Sequence, residues 1–121
     1  TDDGSTIYYT LDGSFPSNNS KKYTEPIKIS KNMVIKAIAY KDNYLESDIV
    51  SRTFIIDKKH DISVVSISTE NYNLYGSSGI ISNYSSRSEK KASFEFYEAD
   101  GSFGTSFLSD IKLSGMDSRK D

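Results

Sequence analysis

The chain has 121 residues and a formal net charge of −2, from 15 basic and 17 acidic residues. This length allows one ordinary domain, or one small domain with part of another, and excludes two complete enzymes. The nearly balanced charge gives no single-sign field that would attract nucleic acid, so nucleic acid is excluded as an expected partner. The absence of Cys excludes disulfides and thiolate metal sites. No window approaches 18 consecutive apolar residues, so no membrane span is expected.

Short runs that alternate apolar and polar residues predict an all-β chain. Such runs cover residues 7–11, 26–30, 33–40 and 49–57, with turn residues such as Asp12-Gly13 between them. The run 33–40 places Ile35, Ala37 and Ala39 on one face. No stretch of ten or more residues has helical spacing, so strands joined by tight turns are the expected architecture.

The residue pattern changes after Ile56. Residues 57–61 form a charged, non-periodic segment, which predicts a boundary between two units. Beyond it, strands are predicted at 63–69, 91–98 and 110–114, with a hairpin turn at 99–102. The long polar loop at 70–88 either contains a short helix near 71–75 or is mobile. The chain lacks an initiator Met and a signal peptide, so we expect an excised fragment whose targeting signal lies elsewhere.

The first unit carries a recognisable pattern. The segment IYYTLDGSFP at 7–16, then Tyr23, Pro26-Ile27 and IKAIAY at 35–40, resembles the immunoglobulin-like domain at the C-terminus of chitobiases and β-hexosaminidases. Phe15 and Ser17 are mild departures from the family pattern. The resemblance covers residues 1–57 and implies that they form an immunoglobulin-like β-sandwich accessory module.

The second unit also carries a pattern. The segments HDISVVSIST from residue 60, GII at 79–81, KKASFEFYEADGSFG at 90–104 and IKLSGMDSR at 111–119 resemble the opening of CotH-type spore-coat kinase-like proteins. Residues 58–121 would then be the N-terminal antiparallel β segment of a kinase-like region, truncated here. The resemblance implies a bacterial surface, extracellular or spore-coat location. It also implies a parent protein that uses ATP and magnesium, with catalytic residues mainly downstream and no cofactor in this fragment.

Two sets of residues are candidates for binding. A Gly-containing turn with Ser118 and Arg119 offers backbone N–H groups and a guanidinium to phosphate oxygens. The kinase resemblance adds support to this interpretation, and an exposed chain end remains the favoured one. Tyr8, Tyr40 and Tyr44 would form a flat platform for a sugar ring. In the competing interpretation the tyrosines are rim residues, with Tyr9 facing inward and Tyr8 outward.

Other polar patterns favour structural roles. The Asp-Gly pairs at 3–4, 12–13 and 100–101 lack the spacing of a calcium loop and match hairpin turns instead. His60 precedes Asp61, yet no nucleophile motif such as G-x-S-x-G accompanies it, so a linker histidine is favoured over a Ser-His-Asp relay. No metal site and no catalytic residue are predicted.

The sequence therefore predicts a non-catalytic accessory or positioning fragment. Its expected partners are the remainder of the parent chain, a coat or cell-wall protein, or a polysaccharide. Two alternatives remain open: a carbohydrate- or cell-wall-binding module that uses the tyrosines, and a structural spacer.

Overall fold

The computed structural model describes residues 4–56 and 60–114. They form two antiparallel sheets with almost no helix, which confirms the predicted all-β class and corresponds to a β-sandwich. The first sheet contains β1 (Thr6–Thr10), β2 (Lys21–Lys22), β3 (Met33–Tyr40) and β4 (Val50–Phe54), in the spatial order β2-β1-β3-β4. The second contains β5 (Val64–Ser68), β6 (Lys90–Tyr97) and β7 (Phe103–Ile111), in the order β5-β6-β7.

The two faces of β3 differ in burial. Ile35, Ala37 and Ala39 share one face as predicted, and Ala37 lies opposite the buried Tyr9 of β1. Alternation places Lys36 and Ile38 on the other face, and these are the two residues of β3 that are fully buried. The more deeply buried face of the central strand therefore contains a lysine, which the apolar pattern did not predict.

Glycine and aspartate form the predicted turns. Gly13 has a φ of +81° and Gly101 a φ of +84°, a region that residues with a Cβ rarely adopt. The side chain of Asp12 accepts a hydrogen bond from the Ser14 N–H at 3.1 Å, and the Gly101 N–H donates to the Glu98 carbonyl at 2.9 Å. Both Asp-Gly segments are turns, as predicted, and the second joins β6 to β7.

Two predicted strands are wrong. Residues 26–30 form no strand. A segment with alternating residues becomes a strand only beside a hydrogen-bonding neighbour, and the outer edge of β1 is already paired with the short β2. The last strand spans Phe103–Ile111 rather than 110–114. The tight turn before Phe103 returns the chain directly along β6, and pairing with that strand overrides the weak β pattern of the Ser- and Gly-containing segment.

The loop at 70–88 was predicted either to contain a short helix or to be mobile, and it begins with that helix. This helix, α1 (Asn71–Tyr75), buries Asn73, whose Nδ2 donates to the Thr69 hydroxyl at 2.8 Å. The predicted boundary between residues 57 and 58 lies outside the described residues and stays a prediction. In the part of the chain that the structure describes, no helix has the length and apolarity needed to cross a membrane.

Candidate functional site: the polar seam between the sheets

Side chains of β6 complete the open edge of β4. β4 ends the first sheet, so Thr53 has no further strand beside it. The Thr53 N–H instead donates to the Glu95 carboxylate at 2.6 Å and to the Tyr97 hydroxyl at 2.9 Å. The Tyr97 hydroxyl donates in turn toward the Thr53 carbonyl at 3.0 Å. These two side chains occupy the place of a neighbouring strand and satisfy backbone groups that an edge otherwise leaves open.

Glu95 is a buried carboxylate with several donors around it. Its side chain is 1% exposed, and it accepts hydrogen bonds from the Ser51 hydroxyl at 2.6 Å and the Thr53 hydroxyl at 3.2 Å. The Thr53 hydroxyl also contacts the Ser66 hydroxyl of β5 at 2.7 Å. A buried carboxylate is tolerated only when donors replace its lost water. Both sheets supply donors to Glu95: Ser51 and Thr53 of β4, and the Tyr97 hydroxyl of β6.

Lys36 is the buried cation of the same region. It is 0% exposed, and its Nζ lies 3.9 Å from the centroid of the Phe15 ring and donates to the Ser68 carbonyl at 3.3 Å. Burial lowers the pKa of Lys36 from 10.5 to about 8, against the opposing effect of the Glu70 and Glu95 carboxylates. We call Lys36, Ser51, Thr53, Glu95 and Tyr97 the polar seam.

Tyr97, the last residue of β6, is the member of the seam nearest the turn that joins β6 to β7. Burial and the hydrogen bond to Glu95 raise the pKa of Tyr97 to about 12. The hydroxyl therefore keeps its proton throughout the physiological range and remains a donor. A second polar link lies outside the seam, where the Phe15 N–H donates to the Glu70 side chain just before α1.

A cleft of about 410 Å³ adjoins the seam. Its lining includes Arg52, Phe54, His60, Tyr97 and Phe103. The Arg52 guanidinium lies 3.7 Å from the centroid of the Phe103 ring and donates to the Ser51 carbonyl at 2.7 Å. The Nε2 of His60 is buried and has no hydrogen-bond partner among the described residues. The described part of the chain thus provides no Ser-His-Asp relay at His60.

Of the three candidate tyrosines, the structure brings Tyr8 and Tyr40 into contact. Tyr8 and Tyr40 meet edge-to-face, with ring centroids 5.7 Å apart and planes at 81°, so they form a corner rather than a flat platform. Burial raises the pKa of Tyr40, and the Glu46 carboxylate adds to this effect. Tyr44 lies in the following loop, is 70% exposed and has the Lys41 Nζ 4.9 Å from its ring centroid. Tyr9 is buried as predicted, whereas Tyr8, predicted to face outward, lies opposite the buried Ile38 and is half-buried.

The phosphate and cofactor predictions are not tested by the described residues. Ser118 and Arg119 lie outside the described residues, so their proposed contact with a nucleotide stays a prediction. Within residues 4–56 and 60–114, no three His, Cys, Asp or Glu side chains are placed so as to hold a metal ion. The kinase resemblance implies magnesium for the parent protein rather than for these residues, so its binding stays a prediction, and we derive no catalytic step from the described residues.

The sequence pattern did not predict the seam. Lys36 interrupts the apolar run MVIKAIAY, and Glu95 stands between Phe94 and Phe96. A charge between apolar residues is what the solvent-facing side of an alternating antiparallel strand shows. Neither position therefore indicates burial by itself, and the partners of both charges become visible only in the folded chain.

Comparison with known proteins gives one match. Residues 1–54 match the family described as Fn3 associated. The match ends at the last residue of β4 and includes all strands of the first sheet. No curated protein and no solved structure matches the chain. The family match agrees loosely with the first resemblance, at the level of a β-domain of the immunoglobulin-like kind.

Proposed function

We propose that this chain is a non-catalytic accessory unit that holds two β-sheets in a fixed relative orientation. The observation that supports it best is the completion of the β4 edge by Glu95 and Tyr97. Sliding or separation of the sheets would leave the Thr53 backbone and the Glu95 carboxylate without partners. Each buried polar group that loses its partner costs about 1–3 kcal/mol, so the seam favours one arrangement strongly.

The finer proposal concerns the parent protein. The motifs quoted for residues 60–119 support a bacterial surface or spore-coat-associated parent of the CotH type, an ATP-dependent protein kinase. In this proposal the first sheet positions the kinase-like region, and ATP and magnesium bind outside the described residues. The partners are the remainder of the parent chain and a coat or cell-wall protein or polysaccharide.

Fixed orientation is testable by residual dipolar couplings measured on backbone amides of the full 121-residue chain. We expect amides of β1, β3, β5 and β6 to fit a single alignment tensor, because the seam joins the sheets rigidly. Tyr97→Phe, which removes the hydroxyl and keeps the ring, is expected to weaken this agreement. Two independent tensors in the unmodified chain would refute a positioning role and favour a structural spacer.

Carbohydrate binding is the competing function, and the strong exposure of Tyr44 is the observation that favours it. Under the positioning proposal, titration with soluble cell-wall polysaccharide fragments produces no saturable change in tyrosine fluorescence. Saturable binding that Tyr44→Ala abolishes would instead support the carbohydrate module. Tyr72→Ala is the matched control, because Tyr72 is 63% exposed and lies in α1, away from the three candidates.

A further inference from the structure

The second sheet leaves an apolar face uncovered. On the side away from the seam lie Val65, Ile67, Phe94, Phe96 and Phe107, which we call the outer apolar face. The register places Val65 opposite Phe96 and Phe94 opposite both Ile67 and Phe107, so these side chains are contiguous. Val65 is 60% exposed, Ile67 54% and Phe107 57%. A contiguous apolar surface of this kind marks an interaction site more often than scattered apolar residues do.

The edge of the same sheet is also open. β7 has nine residues, and among the described residues no strand pairs with its second side. Its sequence, FGTSFLSDI, contains no Pro and Asp110 as its one charged residue. The edges of the first sheet are protected differently: β2 is two lysines long, and side chains of β6 complete β4. β7 has no such protection along 103–109, and an unprotected edge of this length is a template for another strand.

We propose that β7 pairs antiparallel with β7 of a second copy of this chain, about a two-fold axis at Phe107. This register places Asp110 opposite Gly104 and Thr105 opposite Ser109, so no like charges face each other. Parallel pairing in register would place Asp110 beside its own counterpart, which is unfavourable. An antiparallel pair is also isologous, and such interfaces close as two-fold dimers.

The proposed pairing accounts for the exposure of Phe107. Its ring stacks on Phe94 with centroids 5.3 Å apart and planes at 6°, while its other side faces the open edge. In the dimer that open side meets the Phe107 of the second copy. The two outer apolar faces then join across the axis into one face with a row of four phenylalanine rings, in which each Phe107 lies between two others.

Sedimentation velocity of the 121-residue chain tests the proposal, at concentrations from about 10 μM to about 1 mM, where a small interface associates. We expect a reversible monomer–dimer equilibrium. Phe107→Lys and Phe107→Glu should each be monomeric, because each places like charges together at the axis. An equimolar mixture of the two variants should form a heterodimer, because Lys then lies opposite Glu.

Leu45→Lys is the matched control, because Leu45 is 95% exposed and lies in the loop between β3 and β4. It should dimerise like the unmodified chain, and far-UV circular dichroism should show that all three variants are folded. An unmodified chain that remains monomeric at the highest concentration overturns the proposal. Dimers that persist in Phe107→Lys, a mixture that remains monomeric, or open-ended oligomers would each refute this two-fold register.

Discussion

Replacing Glu95 by alanine is expected to lower the free energy of unfolding by about 3 kcal/mol. The substitution removes the acceptor that four groups share: the Thr53 N–H and the hydroxyls of Ser51, Thr53 and Tyr97. It also leaves a cavity where the side chain was 1% exposed. Guanidinium denaturation followed by circular dichroism measures the effect.

Two further variants separate charge from shape. Glu95→Gln keeps the shape and one acceptor oxygen but turns an amide NH₂ toward donors, so its effect should lie between those of the unmodified chain and Glu95→Ala. Glu98→Ala is the control, because Glu98 is exposed at the end of the same hairpin, and it should change the free energy of unfolding by less than about 0.5 kcal/mol. An equally small effect of Glu95→Ala would show that the seam does not stabilise the fold.

Lys36→Met is expected to raise the free energy of unfolding at pH 7 by about 1–3 kcal/mol. The buried ammonium lies in surroundings that lower its pKa to about 8, so the folded state bears a cost for keeping the charge at neutral pH. Methionine has a similar length and shape, keeps the contact with Phe15 and needs no hydrogen bond. Thermal and guanidinium denaturation at pH 7 measure the difference.

The same lysine predicts how stability depends on pH. The unfolded chain retains the Lys36 proton up to about pH 10.5, whereas the folded chain loses it near pH 8. Between these values the unfolded state binds more protons, so this group makes the free energy of unfolding rise with pH. The rise should be measured between pH 8 and 10, because above pH 10 the raised pKa of Tyr97 acts in the opposite direction.

Lys36→Met should abolish this rise, and Lys112→Met should leave it unchanged, because Lys112 is an exposed lysine paired with Glu89. A Lys36→Met variant that is strongly destabilised at pH 7 would contradict the prediction. It would show that the attraction of Glu70 and Glu95 for the buried ammonium exceeds the cost of its burial.

Local sequence patterns determined a large part of this fold. The alternation in β1 and β3, the two Asp-Gly turns and the short helix at Asn71–Tyr75 depend on residues close together in the chain. Backbone conformations of this kind are set by neighbouring side chains, so the sequence pattern predicts them. The pattern predicts residues 26–30 and the start of β7 wrongly, because there the presence of a neighbouring strand decides whether a segment becomes a strand.

Only the tertiary structure decided which face of β3 is most buried and how the charges of the seam are satisfied. The contact between Thr53 and Glu95 joins residues 42 positions apart. No periodicity or turn rule relates such positions, because hydrogen bonding between distant side chains depends on how the sheets pack. The sequence by itself determined an all-β chain and where most of its strands and turns lie. The packing of the two sheets determined that Lys36 and Glu95 are buried in the seam, with Tyr97 half-buried beside them.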